Sequence, residues 1–364
     1  MKYSYVFLFL IFFSCFSKGI EVAENNPLKS DLILMDTISL DLPYFIYASH
    51  FDEKLLGYNP WNNDVVLFNL ENNSVSTFNK FGSGPEDYLL LFHNVGFNEK
   101  GDIIIGAVNG YKTYGQDGKF LTNYTLDRKS TFAPILKPFG KGKDIIGINL
   151  PQGRSSNPEF FQNRQEYLIK LNTDNQSLES IPGFQFKKLN NHEGYYLNNG
   201  LVVSAIEKNR IYLMDKNENK LRVFNFESEK EEKTIQLNLK YFEPHLIPFG
   251  KEFTQQQLKL LGSMNSTIMG IFVHNNRIFV VYDLAYSEEE ISDLYKRANE
   301  IGENYSPPIK YVLHVSDVLG NPIIDDIIIP QEYGRPVFAG EDYILSMKEG
   351  NETNLLLKFK ISGL

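Results

Sequence analysis

Two carboxylates and a phenol, Glu86-Asp87-Tyr88, close a stretch rich in glycine and proline, Phe81-Gly82-Ser83-Gly84-Pro85. Adjacent carboxylates on such a turn can hold a divalent cation or the hydroxyls of a sugar. The same residues also describe a tight structural turn, in which glycines take positive φ, Pro85 fixes the bend and a carboxylate accepts backbone N–H groups. His192 is the one histidine with a carboxylate beside it, Glu193, and reads as a loop residue or as a base. The other five histidines are scattered, without the paired spacing of a zinc site. Neither a Gly-x-Ser-x-Gly elbow nor a phosphate-cradling glycine loop before a helix occurs. No catalytic residue is assigned on these grounds, and the reading leans away from an enzyme.

Four further segments, 128–134, 182–196, 241–249 and 330–338, combine proline with aromatic and charged residues. If these are crossovers between repeating units and converge on one face, Tyr88, Phe132, Tyr195, Tyr196, Phe249, Tyr333 and Arg335 would rim a polar aromatic cup. Such a cup suits a carbohydrate or peptide; the competing use of these aromatics is packing between units.

The elements that must position these residues are short strands. Apolar runs, alternating or continuous, recur at 64–70, 102–108, 144–150, 166–171, 210–215, 220–226, 277–282, 311–315, 343–347 and 355–361, separated by clusters of Asn, Asp and Gly. The recurring unit is an apolar strand, a polar turn, a second strand ending in an Asp or Asn turn, then more polar strands. Units fall at 44–82, 88–127, 132–184, 196–240, 264–330 and 334–361, the last visibly short. The strand-like piece 33–40 has no unit of its own. Pairing it as the outermost strand of the last unit yields an all-β, six-bladed propeller of four-stranded blades. It also removes the unpaired edges of an incomplete blade. About 330 residues over six blades is roughly 55 each, above the 40–50 of typical propeller repeats, so insertions are required. Thr254-Gln255-Gln256-Gln257 and Ser287-Glu288-Glu289-Glu290 have capping-box form and predict helices at 254–261 and 288–301. The stretch 151–164 reads as a polar loop.

The N-terminus carries an address. Lys2 precedes an apolar run over residues 3–13, too short to span a bilayer and placed as an export signal. Ser14-Cys15 at its end makes Cys15 the candidate lipidation site, so that residues 1–15 are signal, 16–31 a polar tether and 32–364 the propeller. Cys15 is the only cysteine, which excludes disulfides and cysteine-built metal centres. A net charge of −9 without a sustained basic block argues against nucleic acid.

The stretch Phe81–Tyr88, followed by Val95-Gly96-Phe97 and Gly101-Asp102-Ile103-Ile104-Ile105, resembles the Gly-x-Gly-Pro-Gly-Glu-Tyr/Phe signature of six-bladed, TolB/NHL-like propeller lipoproteins of Bacteroidetes. Here Glu86-Asp87 stands where that family usually has Gly-Glu. The resemblance implies a periplasmic or outer-membrane-anchored propeller and supplies no activity. The expectation is a non-enzymatic envelope module, held to the membrane through its lipid alone, with a site at the channel mouth for another envelope protein or a carbohydrate or peptide. Glu86, Asp87, Tyr88, His192, Tyr195, Tyr333 and Arg335 are the candidate ligand residues. The alternatives are a cation-dependent hydrolase or lactonase and a glycan-binding propeller tied to polysaccharide uptake. No cofactor is required, although a channel Ca²⁺ is compatible with the carboxylates.

Overall fold

The computed structural model describes residues 32–40, 45–88, 94–107, 110–125, 136–148, 168–175, 177–181, 202–246, 254–302, 305–348 and 353–364. Cys15, the signal and tether, the stretch 151–164, Phe132, His192, Tyr195, Tyr196 and Phe249 lie outside them. The described chain enters through β1 (Leu32–Leu40) and then lays down five four-stranded antiparallel sheets in order. Blade 1 is β2 (Ile46–Phe51), β3 (Lys54–Asn59), β4 (Asp64–Asn69) and β5 (Ser74–Phe78). Blade 2 is β6 (Val95–Phe97), β7 (Ile103–Ala107), β8 (Gly110–Tyr114) and β9 (Phe120–Thr125). Blade 3 is β10 (Leu136–Lys141), β11 (Asp144–Ile148), β12 (Leu168–Asn172) and β13 (Leu178–Ile181). Blade 4 is β14 (Val202–Glu207), β15 (Arg210–Asp215), β16 (Lys220–Asn225) and β17 (Lys230–Gln236). Blade 5 is β18 (Ile268–His274), β19 (Arg277–Asp283), β20 (Tyr311–Asp317) and β21 (Pro322–Ile329). Blade 6 has β22 (Arg335–Ala339), β23 (Tyr343–Lys348) and β24 (Asn354–Ile361), and takes β1 as its fourth strand, with Leu32 opposite Ile361 and Leu40 opposite Asn354. The ring is thus a six-bladed propeller closed by its own N-terminal strand, as the orphan strand in the sequence required.

The apolar strands read as continuous rather than alternating because each blade is buried on both faces. In β7, Ile103 and Ile105 point to blade 1 while Ile104 joins Ile145 and Ile169 of blade 3. In β15, Ile211 and Leu213 pack on blade 3, and Tyr212 and Met214 on blade 5. In β19, Ile278 and Val280 face blade 4, whereas Phe279 and Val281 join the cluster shared by blades 5, 6 and 1. At roughly 1.5–3 kcal/mol per fully buried large apolar side chain, these seams hold the ring together.

The first strands of neighbouring blades, β2 with β6, β6 with β10, β14 with β18 and β18 with β22, lie side by side and wall the channel. The approach is close enough that a Cβ at Gly96 would sit 1.8 Å from the Pro138 carbonyl oxygen. Two helices depart from this plan. α1 (Gln255–Ser263) lies in the crossover from blade 4 to blade 5, and α2 (Glu288–Ile301) between β19 and β20. Both start with the expected capping box: Gln257 N–H donates to Thr254 Oγ1 at 3.2 Å and Glu290 N–H to Ser287 Oγ at 3.3 Å, each returned by the later side chain. Leu260 of α1 packs on Ile291, Leu294 and Ala298 of α2. Among the described residues, no helix is long and apolar enough to cross a membrane.

Candidate functional site

Antiparallel alternation puts the blade-to-blade crossovers and the turns between second and third strands at one end of the channel, here the upper end. The Gly82–Tyr88 turn lies there, between β5 and β6. Gly84 N–H donates to Asp87 Oδ2 at 2.7 Å, and Asp87 N–H to the Gly84 carbonyl at 3.1 Å. Lys112, a buried residue of β8, reaches up so that its ammonium donates to the carbonyls of Pro85, at 2.9 Å, and of Asp87. Tyr114 donates to the Glu86 carbonyl at 2.7 Å. Burial pulls the Lys112 ammonium down from its usual value, while Asp87 and Glu86 pull it back. The turn therefore ties blade 1 to blade 2 by presenting carbonyls to a lysine. Tyr88 does not reach a rim: it is fully buried, its hydroxyl donates to the Asn63 carbonyl at 2.6 Å, and burial pushes its phenol up to about 12. Asp87 is engaged in the turn, and the exposed Glu86 carries its carboxylate outside it.

A second upper-end constellation spans three blades. Lys216 lies in the β15–β16 turn, and its carbonyl accepts from Ile268 N–H, at the start of β18, at 2.8 Å. Asp283 ends β19; its Oδ1 accepts from Thr267 N–H, and its own N–H donates to the Thr267 carbonyl at 3.0 Å. Arg335 opens β22 and is exposed, placed by Gly334 at φ +78, where a Cβ would collide with the Met347 carbonyl oxygen at 2.2 Å. Lys216 and Asp283 are displaced by their surroundings. Burial lowers the Lys216 ammonium first, the Arg335 charge lowers it next, and Asp283 and Asp215 oppose both. Burial raises Asp283 to about 7, against the pull of the Thr267 N–H, its own N–H and Lys216. A carboxylate so displaced is a weak counter-ion near neutrality. Among the described residues, no carboxylate forms an ion pair with Lys216 or Arg335.

Two other polar groupings are enclosed. In the channel, the Tyr47 hydroxyl and His50 Nδ1 lie 3.1 Å apart, next to Ser49, Ser204 and Phe272. Burial, with His274 nearby, pushes the His50 imidazole down to about 4, so it is neutral near pH 7. The free space there is about 30 Å³, water-sized and far below the several hundred Å³ of a small-molecule site. Inside blade 5, Asp326 accepts from the Tyr282 hydroxyl, from Lys240 N–H at 3.0 Å and, at Oδ1, lies 2.7 Å from His314 Nδ1. Tyr282, His314 and Asp326 are all buried, which makes this a strap across β19, β20 and β21.

Of the residues the sequence singled out, the structure thus brings Glu86 and Asp87 together at the seam of blades 1 and 2, and Arg335 to the three-blade cluster. Tyr333 forms the 3-10 turn before Arg335 and stacks on Phe359, ring centroids 4.4 Å apart. Sequence reading missed Lys216 and Asp283. A signal was present: Arg210-Ile211 through Asp215 and Arg277-Ile278 through Asp283 are the same strand, each ending in an acid at the upper end. Trp61, 77% exposed, and Phe81, 53% exposed, are the large upper-end aromatics on blade 1 that face solvent. Among the described residues, no three His, Cys, Asp or Glu side chains are grouped to hold a metal ion.

No family model matches the chain. No curated protein matches it either. Among solved structures it is similar to a member of the DUF4221 family from Bacteroides vulgatus, with a TM-score of 0.63 at 14% identity over 91% of this chain and 98% of that one. It is also similar to a candidate exported protein of Bacteroides fragilis, with a TM-score of 0.54 at 12% identity over 92% of this chain and 96% of that one. At these identities the likeness is one of fold, and it agrees with the six-bladed ring.

Proposed function

We propose that this chain is a non-enzymatic binding module of the cell envelope, exported, anchored through a lipid on Cys15, and using the upper mouth of its channel as the site for a ligand or partner. The observation that carries the site is the meeting, at the upper mouth, of the Lys216 turn, the Asp283 strand end and the Arg335 strand start from three neighbouring blades. A perturbed acid, Asp283, lying among charged neighbours in such a mouth is the mark of a candidate functional site. The rigid ring and the paired helices beside blade 5 suit recognition by loops on a fixed scaffold. The cation-dependent hydrolase finds no ligand set among the described residues. The glycan-binding alternative draws on exposed Trp61 and Phe81, whose faces suit stacking on a sugar.

Release of the full chain, carrying Cys15→Ser, from bacterial membranes tests the anchor; retention of this variant would sink it. Screening that variant on glycan and peptide arrays, with Lys216→Met and Trp61→Ala as mouth variants and Leu319→Ser on the opposite face as control, tests the site. Binding lost only in the control would place recognition elsewhere.

A further inference from the structure

We infer that the lower outer edge of blades 5 and 6 is a membrane-contact surface, on which Ile33, Leu34 and Met35 of β1, with Leu319 and Ile323 of blade 5, seat the ring against a lipid bilayer. The inference rests on the anchored reading of Cys15 and adds a second attachment to the lipid.

β1 runs upward, so Ile33, Leu34 and Met35 lie at its lower end, away from the upper mouth, and each is more than half exposed. The register slips between Leu34 and Asp36, which makes Met35 the extra residue of a bulge on the outermost strand. The β20–β21 turn is at the same end. Asp317 Oδ1 accepts from Leu319 N–H at 2.8 Å and from Asn321 N–H at 2.9 Å, which fixes Leu319 in the turn at 72% exposure. The two blades meet there: a Cβ on Gly363, just beyond β24, would lie 3.7 Å from Ile324 of β21, the neighbour of exposed Ile323. Other outer strands are guarded by polar residues, β17 by a Lys-Glu-Glu-Lys run and β5 by Ser and Thr. Among the described residues, β1 is the one outer strand that exposes three large apolar side chains in a row. Such an edge is adhesive, and the chain ahead of it carries the membrane-directed residues. Residues 3–13 are apolar, Cys15 follows, and at about 3.4 Å per residue the chain from Cys15 to Leu32 reaches about 60 Å at most. This corner is therefore the part of the ring tied most directly to an anchor at Cys15. A small apolar patch binds a bilayer weakly and reversibly by itself, and becomes effective as the second of two signals. Seated this way, the ring turns its upper mouth away from the lipid and open to a ligand.

The full chain with Cys15→Ser and either Met35→Cys or Leu319→Cys has one thiol, on the patch, and its single tryptophan, Trp61, marks the opposite end. Each protein is labelled with bimane at that thiol and mixed with phosphatidylcholine vesicles carrying nitroxide-labelled lipid. Bimane emission should fall about twofold or more at both positions while Trp61 emission is unchanged. Cosedimentation of Cys15→Ser with the vesicles should weaken about tenfold when Leu34→Asp and Ile323→Asp are added together. All these variants keep residues 1–31, so binding through the apolar run is common to them. Ile323→Asp alone lies outside the closing strand and decides the matter if Leu34→Asp lowers the unfolding midpoint. No vesicle binding, an unquenched label at residue 319, or cosedimentation unchanged in Ile323→Asp overturns the inference. A dimer in size-exclusion chromatography that Ile323→Asp dissociates also overturns it and assigns the patch to a second copy. Acylation is read separately, by mass spectrometry of the wild-type chain. An acylated chain with an unquenched patch keeps the anchor and removes the contact, and an unacylated chain with a quenched patch does the reverse.

Discussion

Asp283→Asn should remove a pH dependence that can be worked out from the site. The carboxyl is held at about 7 by burial instead of its ordinary 3.8. Its folded-state value is raised, so the folded protein holds the proton more tightly than the unfolded chain. The stabilisation is then complete below 3.8 and is lost as pH rises toward 7 and beyond. The full displacement corresponds to about 4 kcal/mol at 1.36 kcal/mol per pH unit. Between pH 5 and pH 8 the loss from this one group is about 2–3 kcal/mol. Asparagine keeps an oxygen for Thr267 N–H and carries no titrating proton. Urea unfolding of both proteins at pH 5 and pH 8 cancels every other titration in the double difference, which should show the variant gaining about 2–3 kcal/mol relative to wild type at the higher pH. A double difference below about 0.5 kcal/mol, or one of opposite sign, would refute the desolvated-acid account of the mouth.

Three further outcomes follow from the geometry. Asp326→Ala leaves the Tyr282 hydroxyl and His314 Nδ1 buried without their acceptor, and should cost about 3–5 kcal/mol in urea unfolding; a loss under about 1 kcal/mol would mean the strap is not structural. Gly334→Ala meets both a positive φ and the Met347 carbonyl, so it should destabilise by about 1–3 kcal/mol in urea unfolding; a loss under about 0.5 kcal/mol would mean the turn before β22 can relax. Removing residues 1–40 leaves β24 as an open edge, and size-exclusion chromatography should show self-association; a synthetic peptide of residues 30–41 added in trans should reverse it.

The architecture was legible because its cause is local. Strand, turn and strand repeat with a period, and the two helices announce themselves by hydroxyl and Gln or Glu three residues apart. The closing strand was legible for a different reason: a strand-like segment with no partner and a last unit one strand short can only solve each other's edges. What sequence could not show is which face each residue takes. Tyr88 and Tyr333 sit in crossovers, where a rim or a seam is equally consistent with an aromatic residue. Burial of Tyr88 and the stacking of Tyr333 on Phe359 are decided by neighbours from strands far away in the chain.

The site shows the same limit from the other side. Arg335 was singled out for its company of proline and aromatics, a compositional reason, and its position in the ring gives it a physical one. Lys216 looked like an ordinary turn residue between Asp215 and Asn217, and Asp283 like the polar end of a strand. Neither is unusual until blades 4, 5 and 6 are set side by side, when a turn, a strand end and a strand start from separate repeats meet at one mouth. Propeller repetition makes each such position individually unremarkable, since every blade supplies one. On this scaffold equivalent positions differ in charge: an acid ends both β15 and β19, but a lysine follows only the first, and among the six blades' first strands an arginine opens only β22. The residues that break the repeat, more than those that define it, are where a ligand has to be sought.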